Sequence, residues 1–293
     1  NLPEKKSDKS FLIVGAGPAG LEAAHALGKR GYKVILSEQR NVLGGRVKLE
    51  SSLPTLNEWV RVKDYREQQF LKLPNVEVYL NSEINAEDAL LAEVDHIVIA
   101  TGSKWRRDGF GRSNLLGINN FNTLKNIFTP DDIMIGNHPK EEVIVFDDDY
   151  YYMGPVISEM LQKAGCSVTF VTTSNMVCSF GNYTSEQTYT QKSLINLGVK
   201  LIFSQNINSY DGKNVEMSCI YTGQKSNIKT DSLVTVTARL PVDKLYYQIK
   251  DLMEAGKANS IKSICRIGDA EAPAPIASAV YAGRKYALEI DED

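Results

Sequence analysis

The stretch "SFLIVGAGPAGLEAAHALGKRGYKVILSEQR" leaves this chain little choice of local fold. Phe11 to Val14 form a short apolar run, which suits a strand buried on both faces. Three glycines follow at fixed spacing. Gly15 permits a tight turn, Gly17 lets the backbone approach a diphosphate, and Gly20 lets a helix pack close to the strand. That helix is expected over Pro18 to Arg30, with Ala19 in its first turn and Gly31 as its C-terminal stop. Its N-terminal N–H groups are free to meet phosphate oxygens. A second strand, Lys33 to Ser37, delivers Glu38 and then Gln39. The Glu38 carboxylate is suited to accept hydrogen bonds from an adenosine ribose diol, and it disfavours a 2′-phosphate. Arg40 tempers that last point, although an arginine after a strand is commonly just solvated. A lone GxGxxG is weak evidence; a strand before, a helix after and an acid about 20 residues on make it specific.

Three later stretches fit around this unit. "LGGRV" places Gly45 and Arg46 just after the acid, and "VDHIVIATGSKW" is a strand ending in Thr101 and Gly102. "SICRIGDAEAPAPIASAVYAGRKYALEI" offers another strand, then Gly268 and Asp269, then a helix from about Ile276. Two-domain flavoproteins of the glutathione-reductase class resemble this arrangement. The resemblance implies that Gly268 and Asp269 lie near the ribityl or pyrophosphate part of a ligand. Read from the residues alone, Asp269 could equally be a turn cap. Disulfide-reducing members of that class carry a cysteine pair soon after the glycine pair. Here Arg46, Val47 and Lys48 stand there, and no cysteine precedes Cys166, so disulfide reduction is excluded.

A second strand–turn–helix pattern, "VIVFDDDYYYMGPVISEMLQKAGCSVTFVT", has lost its chemistry. Setting Gly154 against Gly20 puts Asp149 and Tyr151 where Gly15 and Gly17 stand. A carboxylate there repels a diphosphate, and a phenol blocks it. The following strand ends in Thr172 and Thr173, with no acid for a ribose. NAD(P)H is therefore not expected in this second domain. Asp147 to Asp149 are expected to face solvent or pair with arginines; a docking surface is the competing reading. Three adjacent carboxylates on a strand cannot all face one metal, because alternate side chains point opposite ways, and no metal site is expected.

At 293 residues the chain has length for about two domains, and 43% hydrophobic with 24% charged residues is ordinary for a globular protein. A net charge of -3 provides no field for nucleic acid, and no apolar run is long enough to span a membrane. Residues 1–9 read as a polar leader without a signal peptide, and the start on Asn1 hints at a fragment, a processed chain or a trimmed one. The four cysteines form no C-x-x-C, so isolated thiols in a reducing cytoplasm are expected. None of the three histidines stands in a ligand-like or triad-like pattern, and no catalytic residue is assigned. The expected fold is α/β: two Rossmann-like, glutathione-reductase-type domains, the second inserted into the first. The first comprises residues 10–112 and 231–293, the insert 113–230. "DSLVTVTARLP" is read as the strand returning the chain to the first domain.

"LGGRV", "LNEWVRVKDYRE", "ATGSKWRRDG", "DDDYYYMG", "VTARLP" and "GDAEAPAPIA" together resemble the trimethylamine dehydrogenase family, over nearly all of residues 10–293. The resemblance is to its C-terminal nucleotide-binding half in the amine-dehydrogenase branch, with 2,4-dienoyl-CoA reductase a more distant relative. It implies ADP, as in the amine branch, or FAD, as in the reductase branch, in the first domain. It also implies a flavin and iron–sulfur barrel as partner domain or subunit, because this chain contains neither barrel nor cluster-type cysteines. A homo-oligomer is left open. Two other readings stay open: a self-sufficient NADH-dependent flavin oxidoreductase, which needs two working dinucleotide sites, and a nucleotide-free assembly domain.

Overall fold

The computed structural model describes residues 2–139 and 141–291. Its chain divides into two compact units, one of Asn1–Ser51, Leu56–Lys104 and Leu240–Asp293, the other of Ser52–Thr55 and Trp105–Arg239.

The first unit is built on five parallel strands in the order Ser263–Arg266, His96–Ile99, Ser10–Val14, Lys33–Ser37, Val76–Tyr79. The central strand buries Phe11, Leu12, Ile13 and Val14, as expected of a continuous apolar run covered on both faces. One face meets the helix Pro18–Arg30, whose Leu21, Ala24 and Leu27 join Phe11, Ile13 and Leu36 in a core. The other packs Leu12, Ile97 and Ile99 against Ile249 of the helix Lys244–Glu254. Pro18 opens the first helix, and Gly31, at φ 95°, closes it through hydrogen bonds from its own N–H to the last carbonyls. The last helix, Ile276–Glu289, lies directly on the first: a Cβ on Gly283 would stand 2.2 Å from the Ala19 carbonyl oxygen.

The second unit repeats the plan, with parallel strands in the order Ile127–Phe128, Ser232–Val236, Glu142–Asp147, Ser167–Thr172, Lys200–Ile202. An antiparallel meander of Gln205–Tyr210, Asn214–Cys219 and Lys225–Lys229 adds Ile207, Tyr210, Val215 and Met217 to its core. The mixed α/β class with parallel sheets is thus borne out.

One expectation needs correction. Ser232–Val236 does not return the chain to the first sheet; it lies inside the second, between two strands of that unit. All five residues are buried, so the strand needs neighbours on both edges and cover on both faces, which a linking segment lacks. Among the described residues no helix is long and apolar enough to cross a membrane.

Candidate nucleotide-binding site

The C-terminal end of the central strand forms the first turn. Only Gly15, Ala16 and Gly17 separate the strand from the helix. Gly15 has φ +102°, and a Cβ on it would stand 2.5 Å from the Ala100 carbonyl oxygen. A Cβ on Gly20 would be 1.9 Å from the Gly15 oxygen. Both glycines are demanded by the fold itself. Gly17 is different: its φ of -75° suits any residue, and nothing lies within 4 Å of where its Cβ would be. The fold gives no reason for a glycine there. It caps the N-terminus of the 13-residue helix, followed by Pro18 and the buried Ala19.

Glu38 lies beside this turn because Val14 and Ser37 pair in register and Gly15 N–H donates to the Ser37 carbonyl at 2.8 Å. The Glu38 side chain is 5% exposed. Its Oε2 accepts from Ala16 N–H and its Oε1 from Arg40 N–H, each at 2.9 Å. Two backbone bonds hold the carboxylate rigidly, while each oxygen keeps a further lone pair for a hydroxyl donor. Gln39 is exposed in the bend beyond it.

Gly45 crosses over Gly17: its Cβ would lie 2.9 Å from the Gly17 Cα, and Gly44 N–H anchors the crossing to the Ala16 carbonyl at 2.8 Å. Gly268, at φ +59°, approaches the helix from elsewhere, with its Cβ position 2.6 Å from that of Ala19. The residues that follow these two glycines meet. Arg46 donates a short hydrogen bond to Asp269 Oδ2, and Ser103 Oγ bridges them, 2.7 Å from Arg46 Nη2 and 2.9 Å from Asp269 Oδ2. Asp269 Oδ1 also accepts from Ala274 N–H at 3.0 Å, so it caps the turn as well. The buried Glu50 carboxylate lies 3.5 Å from Arg46 Nε. Thr101 donates its hydroxyl to the Val242 carbonyl, and the Gly102 carbonyl accepts from Val242 N–H at 2.9 Å. These two strand-end residues border the site through their backbone. Ser103 was missed in the sequence, where its only signal was its place after "ATG" at a strand end.

In the second unit the corresponding turn is longer, with Asp148 to Tyr152 between the strand and the helix Met153–Lys163. The position-by-position alignment with Gly15 and Gly17 therefore does not hold through the turn, although Gly154 still sits where the helix crosses the strand end. Its Cβ would be 2.8 Å from the Asp147 side chain. Of the three acids, Asp147 and Asp148 do not face solvent, contrary to expectation, while Asp149 is half-buried. Asp147 is 1% and Asp148 0% exposed, because Asp147 ends, and Asp148 directly follows, a strand that is buried from Val143 onward. Asp148 accepts from Ser113 N–H at 2.8 Å, Ser113 Oγ at 2.6 Å and Thr173 Oγ1 at 3.3 Å. Asp147 Oδ1 accepts from Tyr150 N–H at 3.3 Å, whereas its Oδ2 has no partner. Burial, then the neighbouring Asp149 charge, pushes the Asp147 carboxyl well above its ordinary range. The Tyr150 hydroxyl is 2.5 Å from Thr173 Oγ1, and the Tyr151 ring packs edge-on against Tyr152 and Phe180 at 4.9 and 5.0 Å. Aromatic rings fill this strand end.

Residues 9–269 match the family described as pyridine nucleotide-disulphide oxidoreductase. Over 98% of its length the chain is 33% identical to dimethylamine dehydrogenase of Hyphomicrobium sp. (strain x), covering 42% of that protein. The structure of histamine dehydrogenase from Rhizobium sp. 4-9 matches 99% of the chain at 42% identity and a TM-score of 0.95. That of 6-hydroxypseudooxynicotine amine oxidase from Pseudomonas geniculata N1 matches 99% at 38% identity and a TM-score of 0.94. The chain covers 45% and 43% of these two proteins, so it spans under half the length of each of the three relatives. The resemblance read from the motifs is borne out: the chain belongs to the pyridine nucleotide-disulphide oxidoreductase family, with the amine dehydrogenases of the trimethylamine dehydrogenase group among its relatives.

Proposed function

We infer that this chain is the adenine-nucleotide-binding module of a trimethylamine dehydrogenase-like flavin oxidoreductase, holding ADP or FAD in its first unit. The observation that carries the reading is the open face of Gly17, a glycine that the fold does not need, at the N-terminus of a long helix. A diphosphate at that face would meet unpaired N–H groups and the positive end of the helix dipole. Glu38 would accept from the ribose diol, oriented by its bonds from Ala16 and Arg40. FAD supplies a redox-active flavin when bound; ADP supplies none. The role is structural or in electron transfer, and catalysis belongs to a flavin and iron–sulfur barrel outside these residues. The relatives' further length, more than half of each, supports that arrangement.

The second unit is read as an insertion between two parts of the first, supported by the contiguous Trp105–Arg239 flanked by segments of the other unit. It is read as taking no NAD(P)H, because a longer, aromatic-filled turn stands where a diphosphate would bind and Thr172 and Thr173 stand in place of the ribose acid. The test is to denature the purified protein and identify what it releases. About one equivalent of adenine nucleotide is expected, with flavin absorbance if it is FAD. Release of neither ligand would remove the proposal.

A further inference from the structure

The strand Glu142–Asp147 ends on a carboxyl group that the second unit encloses without completing its bonding. Asp147 is 1% exposed; its Oδ1 accepts from Tyr150 N–H at 3.3 Å, and its Oδ2 has no partner. The residues paired with it in the flanking strands, Val236 and Thr172, carry no charge. Neither does the first turn of the helix Met153–Lys163, against which it packs at Gly154. The charges that face it are those of Asp149 and Asp148, both negative. On the loop beyond the strand Ser167–Thr172, burial, helped by the charges of Asp147 and Glu186, pushes the Cys178 thiol up to about 11. A carboxylate so placed has only negative neighbours and one oxygen without a donor, so the closed structure favours the neutral acid.

The turn 148–152 covers this acid, and it is held there under backbone strain. Tyr150 has φ 67° and Cys178 φ 53°, left-handed values that residues other than glycine adopt at a cost. Phe180 N–H donates to the Tyr150 carbonyl at 3.0 Å, the Tyr150 hydroxyl lies 2.5 Å from Thr173 Oγ1, and the Tyr151 ring packs on Phe180. Phe180 is 45% and Tyr183 84% exposed, so this aromatic layer already meets water. We propose that Asp147 is a proton-operated latch: protonated, it keeps the turn 148–152 closed on the strand end; ionised, it opens the turn so that water reaches Oδ2. The proton passes to solvent, Tyr150 and Cys178 leave their strained conformations, and Tyr151 separates from Phe180. The aromatic face at this strand end is whole in acid and loosens as pH rises. Because the open turn carries an ordinary carboxyl and the closed turn a raised one, opening grows by up to about tenfold per pH unit between the two values and is level above the higher. The latch belongs to the second unit and does not depend on a nucleotide in the first.

The test is hydrogen exchange of the purified chain, read peptide by peptide by mass spectrometry from about pH 5 to about pH 9 and divided by the intrinsic exchange rates. Protection of residues 149–153 and 178–183 is expected to fall as pH rises, by up to about tenfold per unit, while that of the strand Gln205–Tyr210 stays level. Asp147→Asn carries no titrating group there and should remove the fall. Asp149→Asn takes away one facing negative charge and should make the fall end at a lower pH. Level protection of both segments in the unaltered chain overturns the proposal. So does a fall that the strand Gln205–Tyr210 shares in full, or one that persists in Asp147→Asn. Should Asp147→Asn not fold, Asp149→Asn decides, and an end point that it leaves unmoved overturns the latch.

Discussion

The two strand–turn–helix units of this protein start from nearly the same pattern and finish with opposite interiors. In the first, three residues turn the chain, the helix N-terminus opens onto free space at Gly17, and the buried carboxylate of Glu38 is tied down by two backbone N–H groups. In the second, the turn carries Tyr150, Tyr151 and Tyr152, and two buried carboxylates end the strand. One of them, Asp148, accepts three hydrogen bonds shared over both oxygens; the other, Asp147, has an oxygen with no partner. The close approach of helix to strand is kept by Gly20 in one unit and Gly154 in the other, yet the atoms they approach differ. Gly20 faces a backbone oxygen, while Gly154 faces a side chain. The scaffold of such a unit and its binding chemistry are thus separable: the former needs one close-packed glycine, the latter an open one.

The sharpest way to break this comparison is to add a methyl group at each close-packed glycine. Gly20→Ala places a carbon 1.9 Å from a backbone oxygen that cannot swing away, and a loss of about 3 kcal/mol is expected in urea unfolding. Gly154→Ala meets the Asp147 side chain at 2.8 Å and should cost about 1 kcal/mol. Equal losses would mean that the two crossings are equivalent after all.

Gly17→Val comes next. Because nothing lies within 4 Å of its Cβ position, stability should hold while nucleotide binding falls by at least ~2 kcal/mol through intrusion into the phosphate space. Bound nucleotide measured after purification decides it, and unchanged content would locate the ligand elsewhere.

A third test uses the buried acid. Since the folded-state pKa of Asp147 is raised above 3.8, the native state holds a proton that the unfolded chain releases. Stability from this group is present below that value and falls as pH rises toward the folded pKa, by up to about 1.4 kcal/mol per pH unit. Asp147→Asn should lack this slope, so the variant gains on the unaltered protein as pH rises. A stability difference that stays flat with pH would show that Asp147 ionises normally.

The smallest effect is expected from placing glycines at Asp149 and Tyr151. The longer turn and the missing ribose acid remain, so NADH affinity should be ~1 mM or weaker, about -4 kcal/mol. Micromolar binding localised to the second unit, in the variant or in the unaltered chain, would overturn the reading of that turn.

The first unit was legible because its information is local. The strand Lys33–Ser37, the helix Pro18–Arg30 and the stop at Gly31 each follow from periodicity, proline placement and a positive φ within a few residues. The second was legible only as a scaffold. Its acids looked solvent-facing because aspartates usually are, and nothing nearby in sequence says that Ser113 and Thr173 arrive to satisfy Asp148. Ser232–Val236 misled for the same reason: an apolar run specifies burial but not which of two sheets will supply it.

The sequence by itself therefore determined the class of fold, the family and the glycines and acid of the first turn, since each depends on the conformational needs of neighbouring residues. The tertiary structure alone decided which of those glycines the fold requires and which it leaves open. It alone brought Arg46, Ser103 and Asp269 together from three distant segments. Contacts across such separations depend on how strands are ordered in a sheet, and that order is settled by packing the whole unit rather than by any stretch of residues.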